Sequence, residues 1–425
     1  MDSGLTSYRS ALGRLFARTG STAKFGLERT RALLALLGDP HERIRCIHVA
    51  GTNGKGSVVA TIDTLLRAKG MRVGRYTSPH LVDFRERIVV DDEQISESEV
   101  LEFISRWEAE SERLGATFFE ITTALAFDHF ATRGVDVAVI EAGLGGRLDS
   151  TNVITPVVAG VTSIGVDHTE YLGDSIAAIA REKGGIFKHD VPAVFGPVSE
   201  DARQALIAAA AASDARPIIA ANKLYRPTGI RVHSAGTTFD VEHRGESMAL
   251  TIGLIGAPQA ANACVALAML DAAGAPYRTT LADAQRSLPA VSLPGRFQRV
   301  GKFVLDVAHN PDGTRTLVTT LDSVGLRRPI IAVLGVLRDK DWREMMKILC
   351  PAVDGTILTA PQSAPPERAW DPAEALDYGQ RNGWDVKLVA PLPQAIARAA
   401  SEGATVVVTG SFHTVGDTLS LGGLP

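Results

Sequence analysis

The 425-residue chain predicts an α/β protein of two domains, the first built on a mainly parallel sheet and the second a smaller Rossmann-like unit. Two observations carry this expectation. Val/Ile-rich runs alternate with stretches of helical period over almost the whole length, and continuous apolar runs suit strands covered on both faces by helices. A cluster of Pro and Ser in LPAVSLPGR, near 288–296, follows an Ala-rich helix and precedes a fresh strand–helix series from Lys302. The expected domains are residues 1–290 and 291–425.

In chain order, the first strand is CIHVA (46–50), followed by a helix over 55–69 and another over 116–133. Strands DVAVIEA (136–142) and PVVAGVTSI (156–164) lead to a helix at 174–183, a strand PAVFG (192–196) and an Ala-rich helix over 199–212. The stretch 223–252 is short, alternating and broken by Gly and His, which predicts a small antiparallel excursion. The second series runs through KFVLDVA (302–308), a helix at 313–323, PIIAVLGV (329–336), GTILTA (355–360), a helix at 391–401 and ATVVVTG (404–410).

Composition narrows the function classes. A hydrophobic fraction of 45% excludes disorder, and 44 basic against 48 acidic residues give no electrostatic footprint for a nucleic acid. Cys46, Cys264 and Cys350 are too scattered for a disulfide framework or a CxxC site and are expected as buried thiols. The start, MDSGLTSYRS, lacks the pattern of a secretory signal, and no run approaches a membrane span of ~18 apolar residues. The expectation is a cytoplasmic protein without membrane contact.

The sharpest chemical signal is AGTNGKGS, Ala50 to Ser57, between the first strand and its helix. Its glycines let backbone N–H groups turn toward an anion, the helix N-terminus adds partial positive charge, and Lys55 can reach phosphates. It is a P-loop context but not a strict Walker A. The first Gly of that pattern falls at Val49, and the residue after Lys55 is Gly56, so the Mg²⁺ hydroxyl is displaced to Ser57 or comes from elsewhere. Glu141 closes the strand before GLGGRLDSTNV, at the edge where parallel sheets bind ligands, and an acid there commonly serves Mg²⁺. TSIGVDH sets Asp167 and His168 at the end of another strand, and the following helix carries Lys183, which by itself is a helix-end cation suited to the dipole. In the second series Arg296 suits phosphate charge, and Asp306, His309 and Asn310 lie at a strand–helix switch. These residues predict an ATP- or GTP-dependent enzyme with a cleft between two α/β domains. They do not separate a kinase from a ligase.

Taken together the motifs resemble the folylpolyglutamate synthase/dihydrofolate synthase family of Mur-type ligases, most closely its bacterial bifunctional members. The matching stretches are GLERT, HVAGTNGKGS, YTSPHLVDFRERI, FFEITTALAF, EAGLGGRLDSTNV, TSIGVDH, EKGGIFK, LPGRFQ, LDVAHNP, DKD and GSFHTVG, in family order from about residue 8 to 417. The resemblance implies a Mur-type ATPase domain followed by a glutamate-ligase domain. ATP would lie on Thr52, Asn53, Gly54, Lys55, Gly56 and Ser57, with Asn262, Arg296 and Asp306. Mg²⁺, two ions in the family, would be held by Ser78, Glu141, His168 and Lys183, the last carbamylated. A pterin or folate would meet Thr117, Phe118, Phe119, Glu120, Leu148, Asp149 and Ser150, together with Ala23, Lys24 and Phe25; L-glutamate would meet His309 and Ser411. Lys55, Lys183, His309 and Arg296 are the implied catalytic residues.

The implied reaction is ligation through an acyl phosphate, with ATP as co-substrate and no redox cofactor. L-glutamate would be joined to dihydropteroate or to reduced folates by a monomer. Lys24 stands where bifunctional members often have Asp, which opens the alternative of a tail-extending enzyme alone. A UDP-dependent Mur ligase needs a further N-terminal domain, whereas only about 45 residues precede the first strand here.

Overall fold

The computed structural model describes residues 2–18 and 26–424. The first sheet has eight strands: β1 (Cys46–Ala50), β2 (Val73–Tyr76), β3 (Ile88–Val90), β4 (Glu93–Gln94), β5 (Val137–Glu141), β6 (Val158–Val161), β7 (Ala193–Phe195) and β8 (Ile218–Ala220). Their order is β4-β3-β2-β5-β1-β6-β7-β8, and β3 alone runs against the others, so that only the β2–β3 and β3–β4 pairings are antiparallel. Every residue of β1 and β5 is buried, which is why both read as largely apolar runs, with His48 inside the first and Glu141 ending the second. Ile47, Val49 and Val139 face the helices Lys55–Arg67 and Pro258–Ala273, while Ala138 and Ile140 face the helix Phe118–Arg133 through Phe127 and Phe130.

The expected antiparallel excursion is a three-stranded sheet of β9 (Arg226–His233), β10 (Gly236–His243) and β11 (Glu246–Ile252). The second large sheet contains β12 (Gln298–Val300), β13 (Phe303–Leu305), β14 (Ile330–Leu334), β15 (Gly355–Leu358), β16 (Val386–Leu388) and β17 (Thr405–Thr409). Its order is β12-β13-β17-β14-β15-β16, antiparallel only between β12 and β13. The fold is thus a large parallel-rich α/β domain followed by a second α/β domain.

Strand order fixes where a ligand can go. β2, β5, β1 and β6 are neighbours, so the segments leaving them (Thr77–His80, Ala142–Ser150, Gly51–Gly54 and Thr162–His168) meet at one edge of the sheet. The turn after β13 meets the same edge: Asn310 reaches Asn53 at 3.3 Å. All three cysteines are free and buried, and among the described residues no helix is long and apolar enough to cross a membrane.

Candidate active site

The Gly51–Gly54 loop is shaped by the strand beside it. Thr162 and Ser163 hydroxyls both donate to the Asn53 carbonyl, at 2.7 and 2.9 Å, and Thr52 N donates to Ser163 O at 2.8 Å. The Thr52 hydroxyl exchanges two bonds with Gly165. Gly51 has φ 150° and Gly54 φ 87°, conformations that L side chains resist. At Gly54 a Cβ would stand 2.5 Å from Asn262 Oδ1, so the expected nucleotide residue Asn262 packs directly against the loop.

Two lysines converge here. Lys55 Nζ donates to the Gly51 and Thr52 carbonyls at 3.1 and 3.3 Å and lies 4.0 Å from Glu141. Lys183 Nζ donates to the same Gly51 carbonyl at 2.9 Å. Its sequence neighbourhood reads as a solvated helix end; in the fold it is only 5% exposed, because its helix turns inward against the loop. Burial, and then the charge of Lys55, bring the Lys183 amine down to about 7. Glu141 is buried as well, which pushes its carboxyl up against the pull of Lys55 and Arg296. One bond from Ser78 N, at 3.4 Å, reaches it and leaves most of its acceptor capacity free.

The second domain supplies the opposite wall. Half-buried Asp306 accepts from Phe297 N and Ala308 N, at 2.8 and 2.9 Å, and Arg296 is its charge partner. The Arg296 guanidinium lies over Phe412 at 5.2 Å. His309 donates Nδ1–H to Val307 O at 2.8 Å, packs tilted against Phe412 with ring centroids 5.6 Å apart, and is pushed down to about 4 by burial and then the Lys340 charge. Ser411 is buried at the N-terminus of Phe412–Leu419, where its hydroxyl accepts from Thr414 N.

Asp167 ties the walls together. It accepts from Lys340 Nζ at 2.8 Å and Asn310 Nδ2 at 3.3 Å, and it lies 3.8 Å from both His309 and His168. Burial opposes its ionisation, but His168 and Lys340 hold the carboxyl well below its usual range. Burial and Lys340 push His168 down to about 4. Sequence reasoning quoted Lys340 only within DKD and gave it no role; no local pattern announces a partner 173 residues away. Thr162 and Ser163 open the TSIGVDH stretch and end an expected strand but carry no expected role of their own, although two hydroxyls beside the loop strand are a usable signal.

The expected pterin residues cluster on one flank. Thr117 and Glu120 form the capping box of the helix Phe118–Arg133, and Glu120 also takes Arg29 Nε at 2.9 Å. Phe119 packs on Tyr76 at 6.0 Å and on Gly143, where a Cβ would come within 2.5 Å of its ring. Asp149 accepts from Leu144 N at 2.7 Å and from Thr151, and thereby folds the loop that carries half-buried Leu148 and buried Ser150. Ala23, Lys24 and Phe25 lie outside the described residues.

Comparison with known proteins agrees with this layout. Residues 49–270 match the Mur ligase middle domain, and residues 295–412 match the Mur ligase glutamate ligase domain. A Lacticaseibacillus casei folylpolyglutamate synthase is 36% identical, with 91% of each chain covered. An Escherichia coli dihydrofolate synthase/folylpolyglutamate synthase is 34% identical over 99% of this chain and 96% of its own. Among solved structures, Mycobacterium tuberculosis folylpolyglutamate synthase complexed with ADP superposes with a TM-score of 0.90 at 34% identity, over 99% of both chains. The E. coli protein in complex with DHPP and ADP gives 0.84 at 32% identity, over 97% of both. The chain belongs to the folylpolyglutamate synthase/dihydrofolate synthase family of Mur ligases.

Proposed function

We propose that this chain is an ATP- and Mg²⁺-dependent ligase that joins L-glutamate to dihydropteroate, giving dihydrofolate, and to the terminal glutamate of reduced folates. The carrying observation is the facing of the Gly51–Ser57 loop and the Asp306–Asn310 turn across one crevice, bridged by the Asn310–Asn53 bond. The domain boundary falls at 290/291, in the segment between β11 and β12. Relatives of this chain include both the bifunctional enzyme and the folylpolyglutamate synthase alone, so the two activities are tested separately.

The reaction has two displacements. An acceptor carboxylate oxygen bonds to the γ-phosphorus of ATP as the bond to ADP breaks. The glutamate amine then bonds to the acyl carbon, phosphate leaves with both electrons of the broken C–O bond, and the amine loses its proton. Loop N–H groups and Lys55 hold the phosphates, and Arg296, drawn between Glu141 and Asp306, meets the charge of the group in transit. His309 and Ser411 would receive L-glutamate.

The donor set suits a hard cation: Ser78, Glu141 and His168 would hold Mg²⁺, and Glu141 has acceptor capacity to spare. When bound, Mg²⁺ neutralises phosphate charge. Lys183 would join it as a carbamate, formed when its neutral amine bonds to CO₂ and releases a proton. An amine titrating near 7 is about half neutral at that pH, against fewer than one in a thousand for an ordinary lysine.

The test is glutamate-dependent ADP release with dihydropteroate and with a reduced folate monoglutamate, in separate reactions. Release with both is the expected result. Release with the folate alone favours the tail-extending reading, and release with neither refutes the ligase reading.

A further inference from the structure

The segment after β2 carries a charge that the proposed chemistry does not yet use. Arg87 closes the short turn Phe84–Arg87 and is 7% exposed, yet no carboxylate among the described residues lies within ion-pair distance of it. Two other inward arginines are paired: Arg29 with Glu120, and Arg75 with Asp63. Neighbouring Glu86 is no substitute, because its two oxygens accept from the main-chain amides of Leu81, Val82 and Asp83. A buried charge without its counter-charge costs several kcal/mol in a finished fold, so an unpaired one points to an anion that arrives later.

Its geometry says where that anion goes. Arg87 Nε donates to His80 Nδ1 at 2.7 Å, and its guanidinium lies over the Phe118 ring at 5.1 Å. His80 is wedged between Phe16 and Phe84, with ring centroids at 6.0 and 6.3 Å, so the fork is held from one side and from below. The two terminal nitrogens have no partner among the described residues, and neither belongs to the sealed, unsatisfied atoms; both keep contact with solvent. Thr77 N donates to Arg87 O at 3.0 Å, which sets Arg87 beside the strand end that continues into Ser78 and Glu141. The free side of the fork therefore stands between the Phe118–Phe119 flank and the phosphoryl-transfer residues.

We propose that Arg87, oriented by His80, binds the carboxylate of the pterin-bearing acceptor and presents it for phosphorylation. This rests on the ligase reading above. Two parallel N–H groups match two carboxylate oxygens, which a lysine at this position would not reproduce. With dihydropteroate the anion is the benzoyl carboxylate; with a folate it is the terminal γ-carboxylate.

The experiment measures equilibrium binding, with Mg²⁺–ADP present, of dihydropteroate and of its analogue lacking the carboxylate, and of folate monoglutamate and its γ-amide. The wild-type protein is expected to prefer each acid over its neutral analogue at least tenfold, and Arg87→Met to prefer it less than threefold. His80→Asn, whose side-chain oxygen can take the place of Nδ1, should keep the preference; His80→Leu should lose most of it while leaving Arg87 in the chain. An unchanged preference in Arg87→Met, or an equal loss of affinity for the acid and its neutral analogue, overturns the assignment of Arg87 alone. Failure of the wild-type protein to bind either pterin pair overturns the acceptor reading and the assignment with it.

Discussion

Replacing Gly51 by Ala perturbs the phosphate loop in a way the structure makes calculable. A Cβ built there stands 2.0 Å from Thr162 Oγ1 and 3.2 Å from Thr162 N, and φ is 150°. The threonine hydroxyl cannot step aside freely, since it donates to Asn53 O at 2.7 Å. Either the loop adopts a new backbone, at about 1–3 kcal/mol of strain, or Thr162 turns and gives up its bond to the Asn53 carbonyl, which keeps only Ser163 as donor, at about 1 kcal/mol. Both routes displace the N–H groups that face the nucleotide. A 2 kcal/mol loss is about thirtyfold in affinity, so Gly51→Ala should weaken ADP binding about ten- to hundredfold. Competition against a fluorescent nucleotide measures this, with thermal unfolding alongside. Adding Thr162→Ala removes the clashing hydroxyl and should recover part of the loss, a non-additivity expected of touching residues. Wild-type affinity in the single variant, or no recovery in the double, would refute the reasoning.

Arg296→Ala should lower kcat about a hundredfold or more while the protein stays folded, if the guanidinium acts on transferred charge as proposed; an unchanged steady-state rate sinks that role. Lys340→Met strands the Asp167 carboxylate in the interdomain contact and should cost about 3 kcal/mol, read by denaturant unfolding. Its effect should be strongly non-additive with Asp167→Asn; simple additivity would show that the pair does not couple. His48, fully buried with Nε2 2.9 Å from Thr151, is pushed down to about 3 by burial, well below its ordinary 6.5. The unfolded chain therefore takes up a proton that the folded chain refuses. This stability is complete above about pH 6.5 and is lost as pH falls toward 3, about 2 kcal/mol between pH 6.5 and 5. His48→Gln should flatten the acid limb of the stability profile by that amount, and an identical slope in both proteins contradicts the assignment.

Much of the fold was legible because the strands beneath the site are buried on both faces and read as plain Val/Ile runs; β1, β5, β14 and β17 fall inside their expected spans. β2 (VGRY) gave no such signal: Gly74 lies where a Cβ would come within 2.8 Å of Phe130, so packing rather than propensity defines it. The helix Pro258–Ala273 is buried on most of its surface and shows no polar face, which hid the element that delivers Asn262. The loop, Glu141 and Arg296 were readable from residue type and position. The burial of Lys183, the Lys340–Asp167 pair and the unpaired Arg87 were not, since each depends on which distant segments the sheet order brings together.

The central claim is that a carboxylate of the acceptor is phosphorylated by ATP before glutamate attacks. It is tested most directly by running the reaction with ¹⁸O in the acceptor carboxylate and weighing the released phosphate. One ¹⁸O per amide formed is the predicted outcome. Unlabelled phosphate, with the label kept in product or lost to water, would contradict the account.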